Sequence, residues 1–449
     1  MVDFIHRPYE KGETIAAVAT PPGEGGIAII RICGDEALAV GDRVFSKKIS
    51  SLPSHTVHHG FVLDGKERID EALVLVMRAP CTYTGEETVE IQCHGGHIAA
   101  GRVLDVVLKN GARPAQPGEF TFCAFMNGKL DLAQAEAVQE LIGAQSEAGF
   151  AVAQNHLEGG LSKEVRAFQK EVTRIAAILE AWVDFPEEGL EFASQEEMLA
   201  DLHALQQKIR HLLDTFDEGQ KLTHGIALAL IGPPNAGKSS LMNALLRKER
   251  AIVTPIAGTT RDLVQEEFLL DGTLFHLTDT AGIRETDEVI EQEGIRRSHE
   301  AKERADIILL VLDVTQEVVH FDVNPEKTLL VWNKCDLESV QKELPFTSVR
   351  VSAKTGEGLS ELKEALLAKV QKKKLTVKDV LLTSRRHFVA LQRAHEALER
   401  LGAGLQNALS PEFLNVDARA ALKDLGEIIG TNVGEDILSE IFSTFCVGK

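Results

Sequence analysis

Gly232, Pro233, Pro234, Asn235, Ala236, Gly237, Lys238 and Ser239 fit the spacing GxxxxGK[ST]. That spacing does phosphate chemistry: glycines free the backbone so that N–H groups can surround an anion, which then faces the N-terminus of the next helix. Lys238 is expected to reach the β- and γ-phosphates and Ser239 to bind Mg²⁺, with Ser240 opening the helix behind them. Farther on, Asp279, Thr280, Ala281 and Gly282 put an acidic residue beside that ion and a glycine N–H near the γ-phosphate. Between the two lies Gly258-Thr259-Thr260-Arg261-Asp262, a switch loop whose Thr260 completes the Mg²⁺ shell and senses the γ-phosphate. Asn333-Lys334-Cys335-Asp336 encodes base choice, since a carboxylate there accepts both N1–H and N2–H of guanine, and adenine offers no such donor pair. Ser352, Ala353 and Lys354 can close over the base. Five motifs in this order imply GTP hydrolysis. One feature departs from the Ras-type scheme: Ile283 follows Gly282 where those enzymes carry a water-orienting glutamine. The acidic stretch Glu285, Asp287, Glu288, Glu291 and Glu293 offers substitutes, or is simply a solvated switch surface.

Such a loop works only between a strand and a helix, and the sequence supplies both, in the apolar run Ile226 to Ile231 and the amphipathic segment Ser240 to Leu246. Further apolar runs (Thr273 to Leu277, Ile307 to Leu312, Thr328 to Trp332, Ser348 to Val351) alternate with helical segments and specify a mostly parallel sheet over residues 219–372. Residues 1–125 read differently, as an α+β domain in which β-type runs such as Ile27 to Ile32, Ala72 to Met77 and Thr88 to Gln92 alternate with Gly/Pro turns. Helical spacing then takes over in 126–218, clearest where Val165, Phe168, Val172, Ile175, Leu179 and Trp182 trace one apolar stripe, and it returns in 373–449. The chain is therefore expected to be multidomain, with an α/β P-loop domain inserted into a discontinuous all-α helical domain behind the N-terminal α+β domain. A dense basic stretch, Lys372, Lys373, Lys374, Lys378, Arg385 and Arg386, marks the seam, either as a solvated junction or as an RNA-facing patch.

Composition bounds what surrounds the site. At 449 residues the chain has length for about three domains, each with its own core. Subtracting 68 Asp+Glu from 48 Lys+Arg leaves −20, so non-specific coating of nucleic acid is excluded and any such contact must use a local basic patch. The start carries acidic residues and a Pro-Gly stop where a signal peptide needs a basic then an apolar region. No apolar run approaches the roughly 20 residues of a membrane span. Six cysteines (Cys33, Cys81, Cys93, Cys123, Cys335, Cys446) lack CxxC spacing and read as reduced thiols, which implies the cytoplasm.

Several longer blocks carry a resemblance: TPPGEGGIAIIRICG, TGEETVEIQCHGG, PGEFT with AFMNGKLDLAQAEAV, GPPNAGKSS, IAGTTRD and the terminal FCVGK. Together, from about Ile15 to Lys449, they closely resemble the MnmE (TrmE) family of tRNA modification GTPases. The resemblance implies a homodimer with a folate-binding N-terminal domain that also dimerises, a helical domain and an inserted GTPase. It also implies a flavoprotein partner of the MnmG (GidA) family, which brings FAD. The expected reaction adds an aminomethyl-type group, carboxymethylaminomethyl or aminomethyl, to C5 of the wobble uridine of certain tRNAs. Methylenetetrahydrofolate supplies the carbon, and 5-formyltetrahydrofolate would serve as its analogue.

Carried over by motif, the folate residues are Arg31, Glu90, Lys129 and the terminal Lys449. A carboxylate suits the pterin amide and amino edge, and cations suit the glutamate tail. The family uses a monovalent cation, K⁺, in place of an arginine finger, and the resemblance gives Asn235 as a ligand with Thr254, Ile256 and Thr259 in the loop around the ion. Its water-orienting glutamate matches Glu291, with Arg284 and Glu285 in the same switch. One departure is the stretch Thr121-Phe122-Cys123-Ala124-Phe125, where the family usually carries an arginine before Ala-Phe. Cys446 has two readings, a thiol that adds to uridine C6 and a structural residue. Rival functions are a ribosome-assembly GTPase that acts as a binding switch, and a folate-dependent carrier for which the GTPase is only regulatory.

Overall fold

The computed structural model describes residues 12–184, 194–249, 265–279, 303, 305–317, 321–337, 344–370 and 380–448. Along the chain come β1 (Ile15–Val18), β2 (Ile27–Cys33), α1 (Ala37–Val44), β3 (Thr56–Asp64), β4 (Glu67–Met77), β5 (Thr88–His94), α2 (His97–Lys109) and β6 (Arg113–Pro114). Six helices follow, α3 (Glu119–Met126), α4 (Leu132–Gly143), α5 (Glu147–Leu157), α6 (Gly160–Asp184), α7 (Gln195–Leu213) and α8 (Phe216–His224). Next are β7 (Ile226–Ile231), α9 (Lys238–Glu249), β8 (Gln265–Leu270), β9 (Thr273–Asp279), β10 (Ile307–Asp313), β11 (Thr328–Asn333), β12 (Ser348–Arg350) and α10 (Leu359–Val370). The chain returns through α11 (Arg385–Gln406), α12 (Pro411–Ile429) and α13 (Glu435–Ser443). It divides into two compact units, one of Met1–Gln139, Leu157–Gln206 and Ala390–Lys449, the other of Glu140–His156 and Gln207–Val389.

In the first unit a six-stranded sheet runs β3-β4-β5-β2-β1-β6, antiparallel except where β1 meets β6. Alternation decides its faces. In β2 the side chains of Ala28, Ile30 and Ile32 go into the core and Arg31 does not; in β5 Val89, Ile91 and Cys93 go in and Glu90 does not. The buried face packs against Val40 and Val44 of α1 and Val103 and Val107 of α2. Asp131 caps α4 by accepting from the Gln134 N–H at 3.0 Å while Gln134 Oε1 accepts from the Asp131 N–H, a reciprocal box that fixes where the helix starts. The expected stripe on α6 is buried at Val165, Phe168, Val172, Ile175 and Leu179 and half-buried at Trp182. α6 packs against α12, whose start is set by Ser410 before Pro411 and whose end by Gly430 in the left-handed region.

The second unit holds a six-stranded sheet in the order β12-β11-β10-β7-β9-β8. All neighbours are parallel except β8 and β9. Every residue of β10 and of β11 is buried, the signature of central strands covered on both faces. Leu241 and Leu245 of α9 and Leu362 and Leu366 of α10 close the core on one side.

Candidate functional site

β7 rises from the core and ends at Ile231, and the loop from Gly232 then turns sharply into α9. The turn needs two left-handed residues, Asn235 at φ +62° and Gly237 at φ +88°. Asparagine tolerates that region and glycine occupies it freely. Gly237 has a second constraint, because a Cβ there would collide with Nδ2 of Asn333. Lys238 is buried, and its ammonium bends back over the loop to donate to the carbonyls of Gly232 at 2.8 Å and Pro233 at 2.9 Å. Ser239 and Ser240 are exposed in the first turn of α9, and Ala236 is buried beneath it.

Three loops at the ends of β7, β11 and β12 are tied together by side chains that sequence reading assigned to the base. Asn333 is 2% exposed, donates to the Ala236 carbonyl at 2.8 Å and accepts from the Ala353 N–H at 3.1 Å. It is therefore a brace between phosphate loop and closing loop, with both ends of its amide used. Ser352 is fully buried, and its hydroxyl donates to Asp336 Oδ1 at 2.7 Å, aiming the carboxylate. Around them lies a cavity of about 640 Å³ that also takes in Gly237, Ser240, Lys334, Ala353 and Lys354. Its lining joins polar residues of the three loops to Leu337 and Leu359, a combination that suits a flat base with a polar edge.

One residue was missed in the sequence. Asp313 ends the apolar strand β10, is 3% exposed, and receives the Lys334 ammonium at 2.6 Å on Oδ2 and the Thr315 hydroxyl and N–H at 2.8 and 3.0 Å on Oδ1. Burial pushes its carboxyl up, but Lys334 and Thr315 outweigh that and hold it below the usual carboxylate range. The signal was a lone acid closing a strand that is otherwise Ile, Leu and Val.

The register Leu230↔Asp279 sets the Asp279 backbone level with the strand end from which the phosphate loop departs. Thr254, Ile256, Thr259, Thr260, Thr280, Ala281, Gly282, Ile283, Arg284, Glu285 and Glu291 lie outside the described residues, as do Lys372, Lys373, Lys374, Lys378 and Lys449.

The folate candidates fall in the other unit. Arg31 and Glu90 are cross-strand neighbours on β2 and β5, on the face turned away from the sheet's core, and Arg31 Nε meets Glu90 Oε1 at 2.9 Å with both largely shielded. The guanidinium lies 5.5 Å from the Phe120 ring centroid and donates to the Gly448 carbonyl at 3.3 Å. Lys129 is exposed and donates to the Pro80 carbonyl at 2.9 Å. It is joined to the rest through the loop that Pro80 begins, where Tyr83 meets Thr121 at 2.9 Å and the Asn127 amide donates to the Thr84 carbonyl. Cys123, at the position of the family's usual arginine, is buried with Ile15, Ala17, Cys33 and Phe120, so it packs as a small apolar side chain. The Cys446 thiol is exposed, and its carbonyl accepts from the Gly118 N–H at 3.3 Å.

Residues 14–129 match the family model for the GTP-binding protein TrmE N-terminus, and residues 132–446 match that for the MnmE helical domain. The tRNA modification GTPase MnmE of Protochlamydia amoebophila (strain UWE25) is 52% identical over 459 aligned positions, covering 100% of each chain. The protein of the same description from Chlamydia trachomatis serovar A is 45% identical over 446 positions, 98% of this chain and 100% of that one. Among solved structures, the G domain of the T. maritima FeoB iron transporter aligns at 30% identity over 32% of this chain and 99% of its own, with a TM-score of 0.23.

Proposed function

The chain belongs to the MnmE family of tRNA modification GTPases, and from that premise we propose that it hydrolyses GTP to drive aminomethyl-type modification at C5 of the wobble uridine of certain tRNAs. The observation that carries this reading is identity of 52% over the full length of a relative, which spans the nucleotide unit and the unit with Arg31 and Glu90 alike. In the nucleotide unit the loop N–H groups and Lys238 would hold the β- and γ-phosphates, and Asp336, aimed by Ser352, would take both guanine donors. The left-handed turn and the collision awaiting a Cβ at Gly237 support a cradle shaped for phosphate. Ser239 and Thr260 would hold Mg²⁺, and Asn235, Thr254, Ile256 and Thr259 would hold K⁺; these ions supply positive charge where the transition state gains negative charge. Glu291 would orient the attacking water. In the other unit Glu90, Arg31, Lys129 and Lys449 would hold methylenetetrahydrofolate, which supplies the carbon. The carboxylate suits the pterin edge and the cations suit the glutamate tail. Its partners would be a second copy of the chain, tRNA and an FAD-bearing flavoprotein of the MnmG family, all in the cytoplasm.

Nucleoside analysis of tRNA from cells lacking the gene tests the reading. Loss of the modified wobble uridine, restored by the intact gene, is expected; an unchanged nucleoside profile would overturn it. Turnover of GTP should also be much faster in K⁺ than in Na⁺ at equal ionic strength. The effect approaches that of an arginine finger, about 10³- to 10⁵-fold, and equal turnover in the two salts would remove K⁺ from the mechanism.

A further inference from the structure

We infer that Asp313 is a positioning residue for the nucleotide, acting through Lys334 by holding its side chain as a fixed plate against the plane of the base. The inference rests on the guanine-nucleotide reading of the cavity and adds a residue from a different strand to it. Four observations carry it. Lys334 has φ +65°, a region that disfavours a residue with a long side chain. Asparagine or glycine would sit there with less strain, so the lysine side chain itself must be needed at that place. Its ammonium is engaged by an acid whose side chain is 1% exposed, at 2.6 Å. Lys334 nevertheless lines the cavity with Asp336, and with its ammonium engaged the four-carbon stem is what it has left to offer there. Finally, Asp313 is itself locked, its second oxygen occupied by Thr315.

A charge held at its far end has few rotamers left, and a stem so held has already lost the freedom that binding would otherwise remove. What it offers is apolar area, which reads the flat face of a base and is indifferent to the groups on its edge. Asp336 reads the edge. The two residues should therefore fail in different ways.

The test is competition binding of GTP, ITP and XTP to the full-length chain, using a ribose-labelled fluorescent GDP as the probe, for the parent, Asp313→Asn, Lys334→Met and the double variant. Asp313→Asn is expected to weaken all three nucleotides by one common factor of about 10, the loss of a buried charged partner being of that order or larger. Lys334→Met should do the same, and the double variant should be no weaker than the weaker single, because the pair acts as one unit. The double variant carries no buried charge, so it reports even where Lys334→Met alone fails to fold. In steady-state hydrolysis the loss should appear in KM, with kcat within about twofold of the parent. The inference is overturned by Asp313→Asn binding GTP within twofold of the parent, by losses that multiply in the double variant, by unequal losses among the three bases, or by a fall confined to kcat. A parent protein with no affinity for any guanine nucleotide would instead overturn the nucleotide reading itself.

Discussion

At the scale of single residues, the six thiols show how environment sorts one chemical group into different behaviours. Cys81 and Cys446 are exposed, Cys335 is half-buried, and Cys33, Cys93 and Cys123 are buried. Burial, reinforced by the nearby Glu86 carboxylate, pushes the Cys33 thiol up from its ordinary 9.0 to about 12, although hydrogen bonds from Thr84 and Thr88 pull the other way. Thiolate is the reactive form, so labelling of the folded chain by a thiol-specific alkylating agent at pH 8 should modify Cys81 and Cys446 first and leave Cys33 untouched until the chain unfolds. Peptide mass spectrometry reads this directly, and early labelling of Cys33 would mean that its pocket opens. The linkage has a definite sign. The folded pKa lies above the unfolded one, so the stabilisation is complete below pH 9 and is lost as pH rises from about 9 to about 12. Removing that thiol, as in Cys33→Ala, should flatten unfolding stability over that alkaline window and leave its pH dependence near neutrality unchanged.

At the scale of elements, the strands that carry the nucleotide loops were legible because parallel strands buried on both faces read as unbroken apolar runs, as in Ile307 to Leu312 and Thr328 to Trp332. Of the strands not named from the sequence, β1, β3, β6 and β8, two show why. β8 opens Gln265, Glu266, Glu267 and, among its described side chains, buries only Phe268 and Leu270 fully, as an antiparallel edge strand does. β3 begins Thr56-Val57-His58-His59 and fully buries only Gly60 and Val62. Both lie at sheet edges and present too little apolar pattern to register, whereas the edge strand β12 was named through Ser348 to Val351. The site shows the same limit: Lys238, Asp336 and Ser352 could be named from spacing, whereas Asp313 acts from a neighbouring strand and no local motif contains it. Asn333 was named, but its work is to brace the loop after β7 against the loop after β12. That brace makes the loop brittle at Gly237. Gly237→Ala adds a Cβ at φ +88° and drives it into the Asn333 amide. The backbone strain alone is about 1–2 kcal/mol, and relief requires breaking the brace. GTP affinity should fall by more than about 10-fold, while the melting temperature moves by only a few degrees. Calorimetric titration checks the first and circular dichroism the second; retained affinity would mean that the loop can rearrange without the brace.

At the scale of the whole molecule, the phosphate loop lies in one compact unit and the Arg31–Glu90 pair in the other. The last helix belongs with the second of these sites. Phe442 and Phe445 of the α13 segment are buried with Leu132 and Ala135, Leu438 and Ile441 pack against them, and Phe122 meets Phe442 edge-on at 5.0 Å between ring centroids. This apolar plug leaves the following residues pinned by backbone alone. Val447 bridges to Pro117, Cys446 accepts from Gly118, and Gly448 accepts from Arg31. Gly448 adopts φ +99° and sits so close that a Cβ would stand 2.5 Å from the Val18 carbonyl, which makes glycine the residue that lets the tail lie against β1. Backbone contacts of this kind hold residues 446 to 448 in a fixed place beside Arg31. Deletion of Cys446 to Lys449 removes the pins and spares the plug, so the protein should fold with a melting temperature close to the parent's. Uridine modification should be abolished, and GTP hydrolysis should stay within about twofold, because the tail and the phosphate loop belong to different compact units and groups with no shared partners couple weakly. Comparing modified-nucleoside content and GTP turnover in one preparation reads both at once. Normal modification by the truncated chain would show that the fixed tail has no part in the chemistry and would end the case for the Cys446 thiol. Loss of GTP turnover together with modification would show that the unit holding Arg31 and Glu90 governs the nucleotide unit.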